Sequence, residues 1–205
     1  MKCPAKFANE SARLNALSNY GLDGEQMLQS LDPVVRIASR MFDMPVAAVN
    51  MIGSDHVFFA ASVGVGKVDM RRDVSFCAHA INQSDVMVVP DATLDDRFHD
   101  NPLVIGETNL RFYAGVPLLS PDGLALGALC VIDDRPHNDF SQDDQQRLLE
   151  LAKMASDRLE LRRIEVSSER TRPPFEEYAG NSSSAVIWFD EQLHILEWNA
   201  AAAAR

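Results

Sequence analysis

The chain has 205 residues, more than one ordinary domain requires and fewer than two large ones. Its 46% apolar and 24% charged residues fit a globular protein, and no apolar run approaches the roughly 18 residues of a membrane span. A formal charge of −11 argues against nucleic acid as a partner, because phosphate binding relies on a clustered Lys/Arg surface.

The amino terminus, Met1 to Glu10, lacks the apolar core of a secretory signal, so a cytoplasmic location without membrane insertion is expected. Residues 1–9 read as a tail. A helix is predicted over Glu10–Tyr20, with Leu14 and Leu17 on one face, and a second over Glu25–Phe42. Pro33 lies inside that second pattern, so either a helix starts at Asp32 or a longer one kinks there. Val46–Ile52 and Val57–Val63 read as strands flanking the turn Gly53-Ser-Asp-His. A short helix over Ser75–Gln83, with Ser75 as cap, precedes a brief strand at Val86–Val89 that Pro90 stops. Asp91–Asn101 is polar and irregular, with one helical turn over Asp95–Phe98. Arg111–Leu119 and Leu124–Asp133 are strands around the turn Ser120-Pro-Asp-Gly, and Gly115 and Pro117 point to an edge position or a bulge in the first.

A long helix is expected from Ser141, its inner stripe being Leu148, Leu151, Ala152, Ala155 and Leu159. Arg172-Pro-Pro breaks it and marks a linker over residues 167–177. Residues 178–205 supply an apolar hairpin, Ala185–Asp190 and Leu193–Trp198, too small to be stable alone. Residues 10–166 therefore read as one α+β domain: a mostly antiparallel central sheet, helices packed on one face, and terminal helices adjacent.

Several ordered segments resemble the GAF domains at the amino termini of bacterial sensor kinases and cyclic-di-GMP signalling proteins. They are Glu10-Ser-Ala-Arg-Leu-Asn-Ala-Leu, Ser75-Phe-Cys-Ala-His-Ala-Ile, Asp91-Ala-Thr-Leu-Asp-Asp-Arg-Phe, Asn101-Pro-Leu-Val, Arg111-Phe-Tyr-Ala-Gly-Val-Pro-Leu and Leu126-Gly-Ala-Leu-Cys-Val-Ile-Asp. Ser184 to Ala201 resembles the first hairpin of a PAS domain. The resemblance implies a sensory module with a kinase or cyclase output beyond Arg205. It also implies a homodimer joined through its terminal helices.

Candidate ligand-binding residues are Phe59, Phe76, Cys77, His79, Asp91, Arg97, Arg111, Tyr113 and Cys130. Cys77 and His79 are two apart and do not share a helix face, so a buried thiol and a hydrogen-bonded histidine are the favoured reading. Bilin-binding GAF domains attach chromophore through a cysteine followed directly by histidine; here Ala78 intervenes, so no covalent chromophore is expected. Asp91, Asp95, Asp96 and Arg97 read mainly as turn and ion-pair residues. Arg111 beside Tyr113 suits a carboxylate or phosphate ligand, or alternatively braces the Asp91–Asp96 loop, with Asp133 as partner for Arg97 or Arg111. The cyclic-nucleotide signature Asn-Lys-x-Asn-Phe is absent. Cys3, Cys77 and Cys130 form neither a disulfide framework nor a zinc site, and no cofactor or metal is expected.

The reading that follows is a non-catalytic sensor for an unidentified small molecule. Two alternatives stand beside it. One is a thiol redox enzyme resembling the free methionine sulfoxide reductases, for which Cys77 and Cys130 lie in apolar surroundings that disfavour thiolate. The other is a ligand-free dimerisation domain whose cavity is closed by Phe58, Phe59, Phe76 and Phe112.

Overall fold

The computed structural model describes residues 1–22, 27–66, 70–171, 179, 182–190 and 192–203. The chain divides into two compact units, Met1–Arg163 and Ile164–Arg205. In the first, α1 (Glu10–Ser18) and α2 (Asp32–Met41) precede β1 (Val46–Ile52), β2 (His56–Val63) and β3 (Met70–Arg71). Then follow α3 (Phe76–Ala80), β4 (Met87–Val89), α4 (Pro102–Ile105), β5 (Phe112–Leu119), β6 (Ala125–Asp133) and α5 (Gln142–Thr171). The strands form one antiparallel sheet in the order β3-β2-β1-β6-β5-β4.

The two central strands are buried on both faces, which is why β1 reads as the near-continuous apolar run Val-Ala-Ala-Val-Asn-Met-Ile. Strand alternation sorts the core into two layers. Ala47, Val49 and Met51 of β1, with Phe112, Ala114 and Val116 of β5, meet the long helices. There they pack on Val34, Val35 and Ala38 of α2 and on Leu148, Leu151, Ala152, Ala155 and Leu159 of α5. That α5 stripe is the one its periodicity predicts, and each buried Leu contributes about 1.5–3 kcal/mol. The opposite face carries Ala48, Ile52, Tyr113, Ala128 and Cys130, covered by Phe76 and Ala80 of α3, Phe98 and Val104. The fold is thus the expected α+β sheet with its long helices on one face, while short helices and loops close the other. The terminal helices are adjacent: the Tyr20 hydroxyl donates to the Glu160 carboxylate.

Several local departures have physical reasons. The Glu25–Phe42 helix is shorter than predicted: a 3-10 turn at Gln29–Leu31 leads into α2, with Pro33 in its first turn, and residues 23–26 lie outside the described residues. Ser75 does cap α3, accepting from the Ala78 amide at 3.3 Å, but the helix ends at Ala80. α4 goes unrecognised in the sequence reading; Asn101 caps it through Leu103 N at 2.9 Å and Pro102 opens it. Of the two expectations for β5, the bulge is the one met, as a register shift at Leu118/Leu119, and β5 is not an edge strand. It lies between β6 and β4, and Pro117 is tolerated because β4 reaches only Tyr113–Gly115. At α5, Ser141 Oγ accepts from Asp144 N at 3.2 Å while Asp144 Oδ2 accepts from Ser141 N at 3.0 Å, a capping box.

Residues 1–7, read from sequence as part of a tail, are seated on the domain. Lys2 N donates to Arg97 O at 3.2 Å, Asn82 Nδ2 donates to Ala5 O at 3.1 Å, and Phe7 packs on the second core layer. Arg13 and Arg72, 1% and 3% exposed, share the Glu10 carboxylate. Arg13 Nη1 also donates to Ala125 O, and Arg13 Nη2 and Arg72 Nη1 donate to Gly53 O, joining α1 to the turn between β1 and β2, while Arg72 Nε and Nη2 find no partner among the described residues.

In the second unit, β7 (Ile187–Phe189) and β8 (Ile195–Trp198) form an antiparallel hairpin, followed by α6 (Ala200–Ala203). Asn199 organises it: Nδ2 donates to Ala179 O at 3.1 Å and Ser184 O at 2.9 Å, and Oδ1 accepts from Val186 N at 3.0 Å. The predicted break at Arg172-Pro-Pro lies outside the described residues, and α5 is helical through Thr171.

Candidate functional site

The polar groups of the second core layer converge on two sulfurs. Asn50 comes from β1, Cys130 from β6, Tyr113 from β5 and Cys77 from α3, so three adjacent strands and the covering helix each supply one group. Cys77 Sγ and Cys130 Sγ are 3.7 Å apart. Asn50 Nδ2 donates to Cys77 Sγ at 3.0 Å and lies 3.4 Å from Cys130 Sγ, and the Tyr113 hydroxyl donates to Cys77 Sγ at 3.2 Å. Asn50 Oδ1 is buried and has no hydrogen-bond partner.

Two glycines make this arrangement fit. A Cβ at Gly115 would strike the Tyr113 hydroxyl, so the missing side chain two residues along the same strand face is where the phenol lies. A Cβ at Gly127 would be driven into the Asn50 carbonyl, so β6 can approach β1 closely beside Asn50. Above the cluster Phe76 stacks on Phe98 at 3.9 Å and tilts against Tyr113 at 5.4 Å.

Burial alone would raise both thiols. The hydrogen bond with Cys130, reinforced by Tyr113 and Asn50, outweighs burial at Cys77 and holds it below the ordinary thiol range. Cys130, on the other side of the shared hydrogen bond and fully buried, is pushed well above that range. Tyr113 is pushed well above the ordinary phenol range by burial and by charge on Cys77, so it remains a donor. The expectation of purely apolar surroundings for both cysteines is therefore corrected for Cys77. A bulky maleimide on native protein at neutral pH should add rapidly to exposed Cys3 alone, with Cys77 and Cys130 reacting at least tenfold more slowly; intact mass reads the count.

The other candidate residues divide between the periphery of this cluster and plain structural duty. His79 turns away from Cys77: Nε2 lies 3.0 Å from Lys2 O and the ring meets the edge of Phe98. Burial holds its pKa below the ordinary histidine range, ahead of the raising effect of Lys2 O. Arg97 pairs with Asp95 at 2.7 Å and lies over Phe98 at 4.9 Å, and the Arg97 guanidinium holds Asp95 below the ordinary carboxylate range. Asp91 makes a turn, accepting from Thr93 N at 2.9 Å. Phe59 packs, half-buried, on the same core layer as the cluster.

Three expectations are overturned. The Arg111 side chain does not pair with the Asp91–Asp96 loop, which instead reaches its main chain through Ala92 N at 2.6 Å; the guanidinium donates to Val104 O at 2.9 Å and Leu110 O at 3.0 Å, bracing α4. Asp133 holds His137, four residues on, at 2.8 Å rather than either arginine. Phe112 belongs to the helix-facing layer beside Phe140, so it cannot close a cavity on the other face. Asn50 and Gly115 were missed. The signal for Asn50 was available, as a polar residue inside an otherwise apolar strand.

A separate open cleft of about 460 Å3 lies at the turn between β1 and β2, bounded by Lys6, Asp55, His56, Arg71 and Asp73. It holds none of the residues selected from sequence. Among the described residues no group of three or more His, Cys, Asp or Glu side chains is placed to hold a metal ion, and no helix is long and apolar enough to cross a membrane.

The family model for the GAF domain matches residues 26–160. The chain belongs to the GAF domain family. Over 159 residues this GAF chain is 36% identical to a cyclic di-GMP phosphodiesterase of Pseudomonas aeruginosa, covering 78% of the chain but only 27% of that relative. Solved structures share the fold at lower identity. A free methionine-R-sulfoxide reductase of Neisseria meningitidis has a TM-score of 0.53 at 20% identity, over 83% of this chain and 100% of that one. The GAF domain of an Acinetobacter phosphoenolpyruvate-protein phosphotransferase has a TM-score of 0.50 at 17% identity, over 72% and 92%.

Proposed function

We propose that this GAF domain is a non-catalytic, cytoplasmic sensory module that regulates an output domain in a bacterial cyclic-di-GMP signalling protein. One observation carries the reading. The enclosed Asn50–Cys77–Tyr113–Cys130 cluster sits on strands whose alternate residues, Val49, Met51, Leu129 and Val131, belong to the helix-facing layer with α5. Any event that shifts the cluster therefore presses on the helix layer through the same strands. Such an event changes the output only if it favours one helix packing over another. The kinship with a cyclic di-GMP phosphodiesterase supports the pathway.

We further assign the 184–199 hairpin to a PAS-type module and propose a homodimer formed along α1 and α5. The exposed Phe189, Ile195 and Trp198 of the hairpin fit a piece that packs on further structure. The thiol-reductase reading is favoured by one fact, the proximity of Cys77 to Cys130, and opposed by another: both sulfurs belong to buried residues, 4% and 0% exposed, and His79 is turned to Lys2 instead of to Cys77. Incubation with free methionine sulfoxide and dithiothreitol separates the two. Methionine should not accumulate beyond one equivalent per protein; sustained turnover would establish the enzyme and overturn the sensor.

A further inference from the structure

The interior aims more donors at one sulfur than a neutral thiol accepts well. Asn50 Nδ2 donates to Cys77 Sγ at 3.0 Å and the Tyr113 hydroxyl donates to it at 3.2 Å. Sulfur in a thiol is a weak acceptor, whereas a thiolate takes several donors, each strengthened by its charge. The second sulfur is already at 3.7 Å, although 53 residues separate Cys77 from Cys130 in sequence. Exposure distinguishes the two: Cys77 retains 4% and Cys130 none. Phe76 packs against Phe98 and Tyr113 beside the pair, so a bulky ligand would have to displace rings.

We propose that Cys77 and Cys130 form a redox-active pair that a small hydroperoxide converts to an intramolecular disulfide. The Cys77 thiolate attacks the distal oxygen of the peroxide. The O–O bond breaks, the alcohol or water leaves after taking up a proton, and Cys77 becomes a sulfenic acid, oxidised by two electrons. Cys130 then condenses with it. The S–S bond forms, the S–O bond breaks, and water departs carrying the thiol proton. A thiol reductant of the dithiothreitol class reverses the change. Closing the bond brings the sulfurs from 3.7 Å to about 2.05 Å and removes the acceptor that Tyr113 and Asn50 use. α3, five residues long and held to residue Lys2 through His79, is the element that moves. As a signal, this chemistry rests on the sensory reading above; as a reaction, it does not.

The test uses the full chain carrying Cys3→Ser, which removes the exposed thiol. After stoichiometric hydrogen peroxide, alkylation in denaturant and intact mass should show both thiols lost, two hydrogens gone and no dimer, all reversed by dithiothreitol. Adding Cys130→Ser should halt the reaction at a sulfenic acid that takes one dimedone on Cys77. Tyr113 is a positioning residue, and Tyr113→Phe should slow oxidation about tenfold and move its pH profile upward. Two alkylatable thiols after peroxide, or oxidation no slower in Tyr113→Phe, would overturn the proposal. A disulfide that forms while hydrogen exchange in α1 and α5 stays unchanged would leave the redox pair standing and remove its role as a signal.

Discussion

Gly127→Ala should destabilise the domain by about 3 kcal/mol, read as a lower urea midpoint with the slope unchanged. The added Cβ would be driven into the Asn50 carbonyl and would lie 2.9 Å from Met51 Cα. Both are backbone atoms of the central strand, so neither can rotate aside. Relief requires β1 and β6 to separate in the middle of the sheet, where Asn50 pairs with Ala128 and Met51 with Gly127. Gly123→Ala is the control. Its φ is +77° with open space around it, so only the left-handed backbone costs, about 1–2 kcal/mol. Gly115→Ala falls between them, because the atoms in the way belong to the Tyr113 side chain, which can move off Cys77.

Glu10→Ala should cost about 3 kcal/mol, and the loss should depend on pH. Glu10 is the shared anion of two buried guanidinium groups, and removing it leaves Arg13 and Arg72 as uncompensated interior charges. Burial pushes the Glu10 carboxyl up, but the hydrogen bonds from Arg13 and Arg72 outweigh it and hold the group at about 2, against an ordinary 4.5. A depressed folded value means that the stabilisation is fully present above pH 4.5 and drains away as pH falls toward 2. Thermal unfolding followed from pH 6 to pH 2.5 should show wild type losing stability across that window. Glu10→Gln should begin lower and lose less. The carboxylate is partly solvated, so the effect belongs at the lower end of the 3–5 kcal/mol typical of breaking a buried pair.

What was legible in the sequence was local. The turn Gly53-Ser-Asp-His between two runs of β-formers placed the first hairpin, and the β1 strand came out at Val46–Ile52 as read. Ser141 with Asp144 three residues on is a start signal that works within a single turn, and the α5 stripe repeats at helical spacing. What was illegible is set by pairing between distant segments. Arg72 meets Glu10 across 62 residues, and nothing near Arg72 announces it. Cys77 and Cys130 read as two separate buried thiols, because only the β1–β6–β5 register and the docking of α3 bring them together. Arg111 misled for a related reason. A cation at the start of a strand invites a carboxylate partner, yet the acceptors are the carbonyls of Leu110 and of Val104, the latter in α4, a helix whose cap and opening proline went unread. Asp133 was assigned across the sheet when its partner, His137, stood four residues away.

The central claim is that the buried polar cluster speaks to the terminal helices through the sheet. Gly115→Ala, which dislodges the Tyr113 hydroxyl, tests it without any ligand, with Tyr113→Phe as the milder companion. Amide hydrogen exchange of the full chain should change in Glu10–Ser18 and across residues 148–163 as well as around α3. Changes confined to α3 and β4–β5, with both terminal helices exchanging as in wild type, would contradict the account.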